Sequence, residues 1–156
     1  MIGNDVVDLK QAAIDSNWAR KGYLDKIYTS QEQELILEAS DPDQMVWLLW
    51  SMKEAAYKIH SRHTGIRKYA PNSLICTNLE HSNKAHIHGT ITVGQIRFYT
   101  KSEIKEHYIH TIAASSLPRL SQIKEVIYQC SPSQIDYKST SPKCVSHHGR
   151  YLALIY

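Results

Sequence analysis

Between positions 45 and 60 the apolar residues Met45, Val46, Leu48, Leu49, Met52, Ala55, Ala56 and Ile59 recur at three- and four-residue steps, which winds them onto one stripe of a helix. Such a stripe must be covered by another layer, so this segment restricts the fold more than any other. Its start is well marked. Asp41-Pro42-Asp43-Gln44 offers an N-cap, a proline whose missing N–H is not needed in the first turn, and acidic character against the positive helix end. Upstream, Thr29-Ser30-Gln31-Glu32 has the spacing of a capping box, and Leu35, Ile36 and Ala39 follow at helical spacing, predicting a short helix that ends near Ser40. After Pro71 the pattern becomes short runs rich in β-branched and aromatic residues, predicting strands at 74–79, 85–92, 95–100, 108–113, 123–129 and 151–156, with tight turns at Val93-Gly94 and His148-Gly149. Helices first and strands afterwards predict an α+β fold, with helices packed on a mainly antiparallel sheet. A length of 156 residues suits one well-filled core, and the expectation is a single domain over 1–156.

Composition excludes some classes. Apolar residues make up 42% and charged residues 21%, and no apolar run approaches the roughly eighteen residues of a membrane span. The opening Met-Ile-Gly-Asn-Asp-Val-Val-Asp lacks the basic and apolar regions of a secretory signal, so a cytoplasmic protein is expected. Cys76, Cys130 and Cys144 are odd in number and widely spaced, as reduced thiols are. The net charge of +3 does not point to nucleic acid, but it suits an acidic protein partner or a polyphosphate ligand.

Three segments carry polar residues that a core does not explain. In Ile2-Gly3-Asn4-Asp5-Val6-Val7-Asp8-Leu9 a carboxylate interrupts a strand-like apolar run, which is unfavourable unless something positive meets it. On the long helix Trp47, Trp50, Ser51, Glu54 and Lys58 share a stripe beside the apolar face, and Glu54 and Lys58, four apart, can reach one ligand. Val145-Ser146-His147-His148-Gly149-Arg150-Tyr151 reads as a polar hairpin tip. Taken singly, each has an ordinary explanation: solvated terminal aspartates, a helix-stabilising Glu/Lys pair, and a turn.

Together and in this order, Gly3-Asn4-Asp5, Trp50-Ser51-Met52-Lys53-Glu54-Ala55-Ala56-Tyr57-Lys58 and Ser146-His147 resemble the 4′-phosphopantetheinyl transferase superfamily, with its Gly-x-Asp opening, its Trp/Phe-x-x-Lys-Glu-Ala-x-x-Lys helix and its Ser-His segment. Tyr23-Leu24-Asp25-Lys26-Ile27-Tyr28-Thr29, followed by Glu32, is similar to a stretch of the small holo-acyl-carrier-protein synthase branch, and Thr64-Gly65-Ile66 resembles a remnant of that branch's Gly-Thr-Gly segment. The resemblance implies an enzyme that moves the phosphopantetheine arm of coenzyme A onto a serine of an acyl or peptidyl carrier protein and releases 3′,5′-ADP. It implies Mg²⁺ held by Asp5 and Glu54, Lys58 and Lys53 at phosphate, Glu54 as general base directly or through a water, His147 as a ligand to coenzyme A, and Ser146 orienting His147. Larger two-lobed members have a second acid two positions after the first aspartate; Val7 stands there, which favours the small branch. In that branch the site lies between subunits of a trimer and basic residues grip the carrier; Arg20, Lys21 and Lys26 are the matching region, while monomer, dimer and trimer all remain open for this longer chain.

Two other readings compete. One is a carrier-binding homologue of the same fold that has lost turnover. The other is a histidine-based metal protein, suggested by His86 and His88 on one strand face together with His107 and His110.

Overall fold

The computed structural model describes residues 1–130 and 132–156. The chain opens with strand β1, Ile2–Asp8, whose seven residues are all buried, and turns directly into helix α1, Leu9–Asp15. Helices α2, Tyr23–Ile27, α3, Ser30–Glu38, and α4, Pro42–Thr64, follow. Strands β2, Ile75–His81, β3, His86–Val93, β4, Ile96–Ile104, and β5, Tyr108–Ala114, come next, then a single-turn helix α5, Leu117–Leu120, and strands β6, Glu125–Gln129, β7, Cys144–His148, and β8, Tyr151–Ile155. The α+β class expected from the sequence is the class observed.

The strands divide between two antiparallel sheets rather than forming one. Five lie in the order β1-β5-β4-β3-β2 and three in the order β6-β8-β7. β1 joins them. One edge pairs residue for residue with β5, from Ile2 opposite Ala114 to Asp8 opposite Tyr108. Its other edge is satisfied by side chains of β7: the Val6 amide donates to Ser146 Oγ at 3.1 Å and the Asp8 amide to His148 Nδ1 at 2.9 Å. A strand held from both sides this way leaves few unpaired amides, so its position is tightly fixed.

Helix α4 runs against the first sheet. Asp41 caps it by accepting from the Gln44 amide at 2.9 Å, and Gly65 ends it in a left-handed conformation, φ +74°. It extends a turn beyond the sequence expectation, because His63 and Thr64 are exposed and add nothing to the apolar periodicity. Val46, Leu48, Leu49, Met52 and Ile59 are essentially inaccessible, and each such side chain contributes roughly 1.5–3 kcal/mol of burial.

Behind this core sits an ion pair. Glu32 closes the capping box of α3, its Oε2 accepting from the Thr29 amide at 2.8 Å, and it also accepts from Lys53 Nζ at 2.7 Å and, through Oε1, from the Cys76 amide at 2.7 Å. Lys53 gives its other protons to the carbonyls of Ile27 and Pro71, both at 3.0 Å. Both ions are fully buried and fully hydrogen-bonded, the condition under which such a pair is tolerated.

β1 and α4 touch through backbone. A Cβ placed on Gly3 would lie 2.1 Å from the carbonyl oxygen of Ala55, which no side chain tolerates. Gly3→Ala is therefore expected to lower the unfolding free energy by about 2 kcal/mol or more in a urea titration, since strand and helix must separate to admit the methyl. A change below about 0.5 kcal/mol would mean that the two elements have slack between them.

Candidate functional site

The close approach at Gly3 sets Asp5, two residues further along β1, beside the α4 stripe that carries Ser51, Glu54 and Lys58. Asp5 is largely buried, and the side chains that contact it come from two elements, β7 and α4. Ser146 of β7 donates its hydroxyl to Asp5 Oδ1 at 3.0 Å, Ser51 donates to the Asp5 carbonyl at 3.4 Å, and Lys58 Nζ stands 3.5 Å from Oδ1 while donating to the Asn4 carbonyl at 2.6 Å. Ser146 thus bridges: it accepts from the Val6 amide and passes its own proton to Asp5. The expectation that Ser146 orients His147 is corrected by this bond, since its hydroxyl is committed to Asp5.

Asp5 and Glu54 face one cleft of about 280 Å³, whose lining also includes Val7, Ala12, Tyr23, Trp47 and Trp50. His147 and His148 of β7 and Asp15 and Ser16 at the end of α1 complete the rim. Burial first, and then the negative charge of Asp5, push the Glu54 carboxyl up to about 7, against the opposing pull of Lys58. The Tyr69 hydroxyl nearby also favours the charged form without completing a hydrogen bond, and it is buried with no other partner. Tyr69 itself is held by edge-on contacts to Trp50 and Tyr57.

Asp5 and Glu54 thus bring two carboxyl groups to one cleft. Their oxygens are hard donors, and Mg²⁺ is commonly held by one or two carboxylates with waters and substrate phosphates filling its other positions. Among the described residues no group of three or more His, Cys, Asp or Glu side chains is placed to hold a metal ion. The same observation weakens the histidine reading. His86 and His107 each stand near a single glutamate, and His110 is buried against Glu125 at 2.9 Å.

Lys53 does not reach the cleft. It follows the helix stripe in sequence, but its side chain turns into the core and spends all three protons on Glu32, Ile27 and Pro71, so the expected phosphate contact is replaced by a structural one. Thr64 and Gly65 likewise serve the helix end: Thr64 Oγ1 donates to the His60 carbonyl at 2.8 Å and the Gly65 amide closes on Ser61. Asp8, a solvated terminal acid by the simplest sequence reading, is buried. Although burial opposes its charge, hydrogen bonds from the Arg150 side chain and backbone and from the Gln11 amide hold its carboxyl well below the usual carboxylate range. Asp15 and Tyr23 were not legible as cleft residues, because they lie on the short helices α1 and α2, which meet β7 only in the fold. The cysteines are free, with Cys76 and Cys144 buried and Cys130 half-buried.

A family model of the 4′-phosphopantetheinyl transferase superfamily matches residues 1–113, which include Asp5, Glu54 and Lys58. The chain belongs to the 4′-phosphopantetheinyl transferase superfamily. Ser146 and His147 lie beyond the matched stretch, yet the fold of this family member returns them to Asp5 and the cleft. Among curated proteins none matches the chain. No helix among the described residues is long and apolar enough to cross a membrane.

The raised Glu54 pKa fixes the sign of a pH effect. Folded protein holds a proton on Glu54 between about pH 4.5 and 7 that the unfolded chain has released, so this group's contribution to stability falls as pH rises through that window. Glu54→Gln cannot lose that proton. In chelator-treated protein its melting temperature, relative to the parent, should therefore climb between pH 5 and 8; a pH-independent difference would remove Glu54 as a burial-strained acid.

Proposed function

We propose that this family member transfers 4′-phosphopantetheine from coenzyme A to a serine of an apo acyl or peptidyl carrier protein, with Mg²⁺ as cofactor and 3′,5′-ADP as the other product. The observation that carries this reading is that Asp5 of β1 and Glu54 of α4 line one cleft, with Lys58 Nζ 3.5 Å from Asp5 Oδ1. Mg²⁺ held by Asp5 and Glu54 would neutralise charge on the coenzyme A pyrophosphate.

The chain's own residues divide the remaining work. Lys58, pinned between Asp5 and the Asn4 carbonyl, places an ammonium where phosphoryl oxygens become more negative as the bond breaks. Glu54, poised to accept a proton near neutral pH, takes it from the carrier serine directly or through a water. The serine oxygen then bonds to the β-phosphorus while the bridging phosphoanhydride oxygen departs with 3′,5′-ADP. Ser146 keeps Asp5 in register through its hydroxyl, and exposed His147 on the rim is the residue offered to coenzyme A. The apolar walls Val7, Trp47 and Trp50 exclude water from the reacting groups.

Arg20, Lys21 and Lys26 are exposed around α2, and Arg20 lies over the ring of Tyr23, which lines the cleft. That places positive charge beside the mouth, where an acidic carrier would dock and be steered. The protein is read as cytoplasmic, where coenzyme A and carriers would be met.

Incubation with coenzyme A, Mg²⁺ and a panel of apo-carriers should add the mass of the phosphopantetheine arm to at least one carrier. Glu54→Gln, nearly isosteric, should reduce the rate about a hundredfold or more with the fold intact. Coenzyme A binding without mass gain on any carrier would favour the homologue that binds carriers and lacks turnover. Charge reversal at Arg20 and Lys21 should raise KM for the carrier at low salt and leave kcat within about twofold; an unchanged KM would move the docking surface elsewhere.

A further inference from the structure

The same seam between β1 and α4 that holds the acidic cleft ends, at the opposite end of the strand, in a pocket of opposite character. Its volume is about 440 Å³, and Ile2, Ser116, Pro118, Arg119, Gln122, Ile123, Lys143 and Tyr156 line it, with no Asp or Glu side chain among them. Three segments build it around Ile2 of β1. The chain leaves β5 at Ala114 and turns through Pro118 of α5, presenting Ser116, Arg119 and Gln122; the approach to β7 contributes Lys143; the end of β8 contributes Tyr156.

The cations here are unmatched. Among the described residues Arg119 and Lys143 make no ion pair and no side-chain hydrogen bond, and neither do the side chains of Ser116 and Gln122, which leaves two cations and two neutral donors facing one space. A third cation borders it. Arg62, two turns along α4 from Glu54, donates to the carbonyl of Ile2 at 3.1 Å and to Cys144 Sγ at 2.8 Å, so its guanidinium lies at the Ile2 edge of the pocket and has no acidic partner either. The positive charges crowd one another: after burial, Arg119 and Arg62 are the causes that depress the terminal amine of Met1. The buried acids Glu32 and Asp8, by contrast, are each matched by a cation, Lys53 and Arg150. An unmatched cluster around a concavity calls for an anion from outside.

We propose that this pocket binds a phosphate-bearing small ligand at a site separate from the Asp5/Glu54 cleft, with Arg119 and Lys143 as the charged contacts and Ser116 and Gln122 as neutral donors. Ile2 lies three strand residues from Asp5, roughly 10 Å, and the two regions carry opposite charge, so a divalent cation site and an anion site occupy the two ends of one strand. Arg119 suits a planar, two-point grip on phosphate oxygens, and Lys143 a point contact. The site does not depend on the transferase reading, because none of its lining residues belongs to the cleft.

The test is a titration of isotopically labelled protein with inorganic phosphate, followed by amide resonances, at ionic strength held constant with sodium chloride. Saturable shifts at Ser116, Arg119, Gln122 and Lys143 are expected, retained in Glu54→Gln and weakened about tenfold in Arg119→Gln/Lys143→Gln. Both substituted positions are exposed, so the double variant should keep the parent spectrum elsewhere; should it not, Lys143→Gln alone with a threefold loss serves the same purpose. Linear, unsaturable shifts, or affinity unchanged by the substitutions, would overturn the proposal. A second arm adds coenzyme A to phosphate-loaded protein. Displacement of phosphate from these resonances assigns the site to a phosphate of that nucleotide, and simultaneous occupancy assigns it to a free phosphorylated ligand.

Discussion

Strand β1 and helix α4 lie so close that no side chain fits between Gly3 and Ala55, and the rest of the site follows from that contact. A separation wider by one methyl would carry Asp5 away from Lys58 and Glu54 together, because all three are fixed to rigid elements rather than to loops. Electrostatics alone would not hold the arrangement. Asp5 and Glu54 repel each other, and Glu54 is pushed toward its neutral form as a result. Packing and backbone hydrogen bonding hold together what charge would separate, and functional sites are commonly strained in this way.

The opposite side of α4 supplies the counterweight. Lys53 is the residue immediately before Glu54, and its three hydrogen bonds tie the helix to the end of α2, the cap of α3 and the segment before β2. Those bonds fix the rotation of α4 about its axis, and rotation decides whether Glu54 faces the cleft or the sheet. The Lys-Glu pair in the motif thus divides into one residue that orients the helix and one that faces the cleft. β7 performs the matching task for β1, its Ser146 and His148 bonding successive outward amides of the strand while His147 lies on the rim, its Nε2 3.1 Å from the Gly149 carbonyl.

Much of this was legible in the sequence where the signal is local. The apolar stripe of α4, its Asp41 cap, the Thr29/Glu32 capping box and most strands are periodic or short-range features, and they stand where expected. β4 runs on to Ile104 because Lys101, Ser102 and Glu103 are polar and break the apolar pattern, yet Ser102 pairs its hydroxyl with Thr111 at 2.8 Å across the strands. Helices α1 and α2, of seven and five residues, are too short to show a period, and α1 depends on Asp8, whose partner Arg150 lies 142 residues away. The division into two sheets was hidden for the same reason, since β1 is held on its second edge by side chains rather than by a ladder. Asp5, Glu54, Lys58 and His147 were legible through their motif, whereas the true partners of Lys53 and Ser146 are long-range and leave no trace in spacing.

The central claim is that Asp5 and Glu54 act as one unit on one divalent cation. A double-mutant cycle on Mn²⁺ affinity, read from water-proton relaxation in the presence of coenzyme A, tests it most directly, because it requires no turnover. If the account is right, Asp5→Asn and Glu54→Gln each weaken Mn²⁺ binding nearly as much as the two together, so that the second substitution adds little. Independent, additive losses, or affinity indifferent to either change, would contradict it.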